Sequence, residues 1–576
     1  MISRDRALAE LAAEPFDVVV IGGGVTGAGA ALDAASRGYT TAIVERADWA
    51  IGTSSRSSKM VHGGLRYLQN FDLGLVREAL LERQLMVHLA PHLVYPTPYL
   101  VPTLGDDRRD FKIGIGLNMY DVMATTRVGQ GRRQRGERDR RRERSEADGN
   151  DAEPPPESWS PDRHRTIPAQ EAVDLIPALG PRDPKSAYLF YDCQTDDVRL
   201  VLTILGEAER FGAVMANRLE VTSLLERGGK AEGVVCRCAE TGAAVEIRAA
   251  NVINATGVWA DRIRPGEILD ETEVPRIAPS RGTHLTVPLE RLPLANAACI
   301  VPAGSGRTIF VLPWLGRVLI GTTDNDYDGD IDQVRPGGGD VTYLLDAVNA
   351  YFGTDLEGDD VTGAYAGVRP LISTGDPKKS VDISRKAELY ETSSGMLTIT
   401  GGKLTTWRRM AKLVVDRVAM REERDLPCRT AEIPLGMAAR PEDLEPPEGV
   451  DTSTLPEGFA GQLAFRYGHA ARDVLALVGE RPNLGRPIVP GRPDLLAEAV
   501  IAARVEQARS VGDVLLRRTR LAVLSAAELR GADPVLPVAE ALGDELGWDA
   551  ARVRAAADAW PEELAAEGAD VALNAD

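Results

Sequence analysis

The sequence predicts an α/β protein in three parts: a doubly wound parallel-sheet domain, a second domain on an antiparallel sheet, and an all-α C-terminal domain. Three observations carry this expectation. Residues 17–21 form a continuous apolar strand that runs into Gly22-Gly-Gly24-Val-Thr-Gly27 and a small-residue helix. Residues 282–288, 309–313 and 318–322 alternate apolar and polar side chains, as antiparallel strands do. Residues 459–566 show helical apolar spacing, with 495–509 and 511–524 reading as amphipathic helices.

The length of 576 residues is too great for one ordinary domain. With 44% hydrophobic and 27% charged residues, a globular chain is expected. A net charge of -19 argues against nucleic acid as the main partner, and any anion site must be a local cluster of Arg and Lys. The five cysteines form no C-x-x-C pair, and Cys236 and Cys238 read as ordinary strand residues rather than a metal pair, so no metal is expected. An odd count without a disulfide framework suits a reducing cytoplasm. The first 16 residues lack the apolar stretch of a secretory leader, and no run of about 18 apolar residues suggests a membrane span.

The elements follow in order. The strand at 17–21 has the unbroken apolar character of a parallel strand buried on both faces. The helix at 26–37 is closed by Gly38, and a second strand at 40–45 completes a βαβ start. In the glycine motif, Gly22 permits the tight turn, Gly24 admits a pyrophosphate, and Gly27 with Ala31 lets helix and strand pack closely. Glu45 ends the second strand, where a carboxylate accepts ribose hydroxyls. The reading is therefore a Rossmann-like dinucleotide fold. Asn254-Ala-Thr-Gly257 and Thr400-Gly401-Gly402-Lys403 add two more strand-to-turn segments, the latter opening a helix whose N–H groups suit a flavin edge. A site closed by so distant a segment suits a retained FAD rather than an exchanging NAD, which makes the fold glutathione-reductase-type. Strands are expected near 214–225, 234–238, 245–249 and 251–255, and helix from about 413. Residues 130–157 are Arg-rich, then acidic and proline-bearing, and read as a disordered insert. The domain reading is an oxidoreductase core over 16–425, a linker over 436–458, and a helical domain over 459–566.

The stretch Gly52-Thr-Ser-Ser-Arg-Ser-Ser-Lys59-Met-Val-His62-Gly63-Gly64-Leu65-Arg66-Tyr67-Leu68 is more specific than a generic nucleotide motif. It resembles the signature of the FAD-dependent glycerol-3-phosphate dehydrogenases. Ala90-Pro91-His92-Leu93, Asp196-Asp197-Val198-Arg199-Leu200 and Ser280-Arg281-Gly282-Thr283-His284 resemble family segments too. So do Gly321-Thr-Thr-Asp324, Tyr365-Ala-Gly367-Val-Arg369-Pro370-Leu371 and Asp513-Val-Leu-Leu-Arg-Arg-Thr-Arg520. The chain departs at Ser384-Arg385-Lys386-Ala387, where the family often carries a His. No cysteine follows Cys428, which fits the single-subunit aerobic type.

The resemblance implies oxidation of sn-glycerol 3-phosphate to dihydroxyacetone phosphate, with hydride passing from C2 to FAD and electrons onward to a membrane quinone. It implies a substrate cluster of Arg66, Arg369 and Lys403, with Tyr67, His284 and Arg385 beside it. Arg suits the phosphate through its planar fork, and His284 is the best candidate base because neutral imidazole is available near pH 7. Cofactor contacts are expected from Gly22, Gly24, Gly27 and Glu45. They are also expected from Thr53, Ser54, Ser58, His62 and Gly63, from Val221, Thr256 and Gly257, and from Gly402, Lys403, Leu404 and Thr405. Asp324 reads as a simple turn carboxylate. Alternatives on the same motif are a glycerol-3-phosphate oxidase using O2, an amine or amino-acid oxidase, and a non-catalytic flavoprotein. Quinone reduction implies a cytoplasmic protein peripheral at the inner face of the membrane, with Arg108, Arg109, Phe111, Lys112, Ile113, Ile115 and Leu117 as the candidate contact, and a homo-oligomer is compatible.

Overall fold

The computed structural model describes residues 3–64, 72–105, 111–125, 163–263, 276–304, 306–373 and 387–574. The insert expected over 130–157 lies outside the described residues.

Strand β1 (Phe16–Ile21) is central to the first sheet. Its Val18 and Val20 join the apolar cluster beneath helix Val25–Ser36, while Val19 and Ile21 join the cluster on the other face. Side chains alternate across a strand, so burial on both sides requires the unbroken apolar run that the sequence shows. The next strands are β2 (Thr41–Val44), β3 (Met60–Val61), β4 (Tyr95–Thr103), β5 (Arg165–Pro168) and β6 (Ser186–Gln194). Then come β7 (Val214–Ala216), β8 (Leu219–Arg227), β9 (Lys230–Cys238), β10 (Ala244–Asn254) and β11 (Arg276–Pro288). The series closes with β12 (Ala298–Pro302), β13 (Thr308–Trp314), β14 (Arg317–Gly321), β15 (Asn325–Asp326), β16 (Gly363–Ser373), β17 (Ala387–Glu391) and β18 (Leu397–Gly401).

The first sheet runs β17-β18-β10-β1-β2-β7, parallel from β18 to β7, with the β8–β9 hairpin attached to β10. Helices Val25–Ser36, Asp197–Arg210 and Trp407–Arg421 cover one face. They approach closely because Gly29 carries no side chain: a Cβ there would sit 2.5 Å from the Trp407 ring. The second sheet runs β15-β11-β14-β13-β12-β4-β6-β3 with β16 on β11, and helix Gly338–Phe352 packs on it. The architecture is thus α/β with an antiparallel-rich second sheet and a helical C-terminal region.

Three local expectations change. The single strand near 214–225 divides into β7 and β8 because Arg218 takes a left-handed φ of +52°. The strands near 245–249 and 251–255 are one strand, β10. The amphipathic reading of 495–509 and 511–524 is corrected. Helix Ala497–Glu506 is buried nearly all round, and its carboxylates Glu498 and Glu506 are inside, paired with Arg466 and Arg199. The second segment breaks into a π-helical turn, Asp513–Arg518, and a short helix, Leu521–Leu524, with Arg520 at φ +66° between them. Arg517 and Arg518 turn inward onto Asp48, so charge pairing rather than an outer polar face dictates the turn. Within 436–458, Leu444 and Leu455 are packed against the helical core.

Candidate active site

A cavity of about 560 Å³ lies between the two sheets. Its first wall is the glycine turn after β1. Gly22 holds φ +107°, and a Cβ on it would meet the Ala255 carbonyl at 2.8 Å. Gly24 caps helix Val25–Ser36 and borders the cavity beside Ser54. The free N–H groups of that helix start make an anion cradle. Glu45 lines the same wall. Its carboxylate accepts from the Gly23 and Ala47 N–H groups at 2.7 and 3.0 Å, while burial raises its pKa. Thr53, Ser54, Ser58, His62, Val221, Thr256, Gly257, Gly402, Lys403, Leu404 and Thr405 all border the cavity. Gly27 and Gly63 do not. A Cβ on Gly27 would lie 1.9 Å from the Gly22 carbonyl oxygen, so this glycine serves helix–strand contact. Gly63 packs instead on Leu80 and Tyr120, donating its N–H to the tyrosine oxygen at 2.8 Å.

The opposite wall is the β11–β16 pair. Its register sets His284 across from Tyr365, Gly282 from Gly367 and Ser280 from Arg369. Period-two alternation puts these six side-chain positions on one face. The glycines open the space between the larger groups: a Cβ on Gly282 would meet Arg369 Nη2 at 2.7 Å, and one on Gly367 would meet Arg56. His284 is buried and stacks on Tyr365, with centroids 4.8 Å apart and planes 12° apart. Its Nε2 lies 2.8 Å from the Ser58 hydroxyl. On β14, the position beside the ring is Gly321, where a Cβ would strike the imidazole at 2.2 Å. Burial, then the charges of Lys59 and Arg369, hold the imidazole pKa well below its ordinary value. The ring is therefore neutral at physiological pH, as a proton acceptor must be.

Arg369 is oriented by four acceptors, one of them the Ser280 hydroxyl oxygen at 3.5 Å. It donates to Asp324 Oδ1 at 3.0 Å, to the Thr323 carbonyl at 3.3 Å and to the Thr322 hydroxyl at 3.4 Å. Asp324 also accepts from the Ser280 hydroxyl at 2.5 Å, so it anchors this wall and is more than a turn carboxylate. Lys403 enters from the β18 turn, where Gly401 and Gly402 hold φ +77° and +70°. A Cβ on Gly402 would lie 2.3 Å from Met410 Sδ. The structure thus brings His284, Arg369 and Lys403 to one cavity with the glycine cradle. Arg66, Tyr67 and Arg385 lie outside the described residues. No group of His, Cys, Asp and Glu suited to a metal occurs among the described residues.

Two family models match the chain: FAD dependent oxidoreductase over residues 17–417, and C-terminal domain of alpha-glycerophosphate oxidase over 428–553. Glycerol-3-phosphate dehydrogenase 2 of Mycobacterium tuberculosis is 36% identical over 94% of this chain and 87% of its own length. The glycerol-3-phosphate dehydrogenase of Synechocystis is 33% identical over 94% of this chain and 95% of its own. The chain belongs to the FAD-dependent glycerol-3-phosphate dehydrogenase family. The FAD-complexed glycerol-3-phosphate dehydrogenase of Bacillus halodurans has the same fold, with a TM-score of 0.73 at 28% identity, covering 99% of this chain and 98% of that one. FAD is the cofactor of this family, and the cavity's lining fits it: the side-chain-free cradle at Gly22 and Gly24 would admit phosphates, and the Glu45 carboxylate on the same wall would accept ribose hydroxyls.

Several residues of this dehydrogenase site had no role in the sequence reading. Lys59, Asp197 and Arg520 sit inside quoted motifs, yet they form a fully buried ion cluster behind His284. Their one sequence signal is charge placed within otherwise apolar or small-residue segments. Tyr365, a motif residue with no chemical signal of its own in the sequence, is the stacking partner of His284.

Proposed function

We propose that the protein oxidises sn-glycerol 3-phosphate to dihydroxyacetone phosphate. The observation that carries this reading is the β11–β16 wall, where a neutral His284 and an oriented Arg369 face the same cavity as Lys403 and the glycine cradle. Bound FAD supplies the hydride acceptor for C2 of the substrate. Arg369 holds the substrate phosphate through its guanidinium fork, with Asp324 and the Thr323 carbonyl fixing the plane of that fork. Lys403 adds a second cation to the phosphate subsite, and the family resemblance assigns Arg66, Tyr67 and Arg385 to the substrate as well. His284 accepts the C2-hydroxyl proton at Nε2 by way of the Ser58 hydroxyl, which lies 2.8 Å from that nitrogen and gives up its own proton as it takes the substrate's. Burial of this wall excludes bulk water and strengthens each electrostatic contact.

Electrons then pass to a membrane quinone, in the service of glycerol catabolism, with the protein peripheral at the inner face of the cytoplasmic membrane. No helix among the described residues is long and apolar enough to cross a membrane. Helix Phe111–Thr125 supports surface attachment: Ile115 and Val122 are exposed, whereas Leu117 is inside; Arg108 and Arg109 lie outside the described residues. A second reading, transfer to O2, is favoured by the match of residues 428–553 to the alpha-glycerophosphate oxidase C-terminal domain. The test is an anaerobic visible spectrum before and after sn-glycerol 3-phosphate, followed by reoxidation with a soluble quinone or with O2. Bleaching of the flavin band and rapid reoxidation by quinone support the reading. An unchanged band in a folded, flavin-loaded protein sinks it, and faster reoxidation by O2 selects the oxidase.

A further inference from the structure

The segment 55–59 links the cavity to the helical C-terminal region. Asp197, at the start of helix Asp197–Arg210, is its hub. Asp197 Oδ2 accepts from the Ser57 N–H at 3.1 Å and the Ser57 hydroxyl at 2.7 Å. Lys59 Nζ donates to both carboxylate oxygens, at 2.9 and 2.7 Å, and to the Ser55 carbonyl at 2.7 Å. Arg520, from the break after the π-helical turn, donates to the same two acceptors, Asp197 Oδ1 at 3.1 Å and the Ser55 carbonyl at 2.8 Å. None of the three charged groups exceeds 2% exposure. The backbone is held as well: Lys59 takes a left-handed φ of +58°, and its carbonyl accepts from the Thr195 N–H at 2.9 Å. A buried cluster tied together by this many hydrogen bonds is rigid, and deleting one member leaves a buried charge uncompensated.

Two contacts pass from this cluster to the proposed base. Ser58, enclosed between Ser57 and Lys59, places its hydroxyl on His284 Nε2. Tyr365 donates to the Ser57 carbonyl at 2.7 Å, lies under Lys59 Nζ at 4.6 Å and stacks on His284. We propose that the buried Lys59–Asp197–Arg520 cluster is a positioning device for the Ser58–His284 pair, through which the C-terminal helical region fixes the orientation and charge environment of the base. This rests on the reading of His284 as the base. Lys59, Asp197 and Arg520 are positioning residues, since they act on the imidazole through Ser58 and Tyr365.

The charges around the imidazole are distributed over every packed element. Lys59 faces it from the 55–59 segment, and Tyr365 and Arg369 from β16. Asp196, Asp197 and Arg520 lie behind Tyr365, and Asp324 lies behind Arg369. Asp340 is bonded to Thr283, whose side chain alternates to the other face of β11. Burial, opposed by Asp197 and Asp196 but helped by Arg520, brings the Lys59 pKa down to about 7. For Asp197, burial acts upward, but Lys59, Arg520 and the Ser57 hydroxyl outweigh it and keep the carboxylate ionised.

The test is the flavin-loaded protein carrying Lys59→Met, labelled with 15N only at histidine. The six histidines make the His284 signal assignable against a His284→Gln control. Removing the Lys59 charge, which sits 4.6 Å from the Tyr365 ring on which His284 stacks, raises the His284 titration by about one pH unit at an effective dielectric constant of about 20. Flavin content stays unchanged, and the acid limb of anaerobic flavin reduction by sn-glycerol 3-phosphate moves up by about one pH unit, so that reduction slows up to about tenfold at pH values within that limb and is unchanged at neutrality. Arg520→Gln, which leaves both Lys59 and the cavity wall in place, moves the His284 titration and the acid limb in the same direction and decides the matter if Lys59→Met does not fold. An unshifted His284 titration with unchanged reduction in either folded variant overturns the proposal. A shifted titration in a protein whose wild-type flavin the substrate never reduces upholds the positioning and sinks the dehydrogenase reading instead.

Discussion

Replacing Arg369 by lysine keeps the charge and removes the fork, so it isolates geometry from electrostatics. Arg369 uses Nη1 on Asp324 Oδ1 and Nη2 on the Thr323 carbonyl, with its side chain 21% exposed toward the cavity. A lysine ammonium is a point donor on a flexible stem and cannot keep both anchors while presenting two parallel N–H groups to a phosphate. The loss is then about one charge-assisted hydrogen bond, roughly 1.5–3 kcal/mol, or about 10- to 150-fold in kcat/KM. Because the phosphate is held alike in ground and transition states, most of the change falls on KM. Stopped-flow flavin reduction across substrate concentration gives both constants, with flavin content measured on the same sample. An unchanged kcat/KM in a flavin-loaded Arg369→Lys protein would refute the placement of the phosphate on this guanidinium.

Further outcomes follow from the same geometry. Gly27→Ala places a methyl 1.9 Å from the Gly22 carbonyl, so the turn must move, and the purified protein loses bound FAD on gel filtration. His284 has a depressed pKa, so its neutral form persists below pH 6.5; kcat/KM is flat through neutrality and falls only when pH drops through the depressed value, and His284→Gln removes that acid limb along with most of the activity. His92 is lowered to about 4 by burial, so folding is unaffected above pH 6.5 and a penalty builds as pH falls from there to about 4. Urea melts should show His92→Gln losing up to about 3 kcal/mol less stability than wild type over that window.

The legibility of the fold follows from how local each signal is. The turn after β1 is legible because its needs are local: Gly22 takes a φ of +107°, and a Cβ on Gly27 would strike the Gly22 carbonyl of the same turn. His284, Arg369 and Lys403 are legible only through family resemblance, and what the sequence lacks is the β11–β16 register that sets His284 on Tyr365. Register is decided by long-range pairing, since a one-residue slip would send each of these side chains to the other face. Asp324 reads as a turn residue because its partner Arg369 belongs to a different strand. The helical tail misleads for a related reason. Glu498, Glu506, Arg517 and Arg518 resemble a polar face, but each is buried against a charge from a distant element. Hydrophobic periodicity cannot distinguish a solvated charge from a paired internal one.

The most direct test of the account is single-turnover anaerobic flavin reduction with sn-glycerol 3-phosphate deuterated at C2, compared with substrate deuterated only at C1. The account predicts slower bleaching with the C2 label and none of that slowing with the C1 label, because the C2–H bond is the one that breaks. Equal rates for the two labels, with chemistry limiting, or a flavin that neither substrate bleaches, would contradict it.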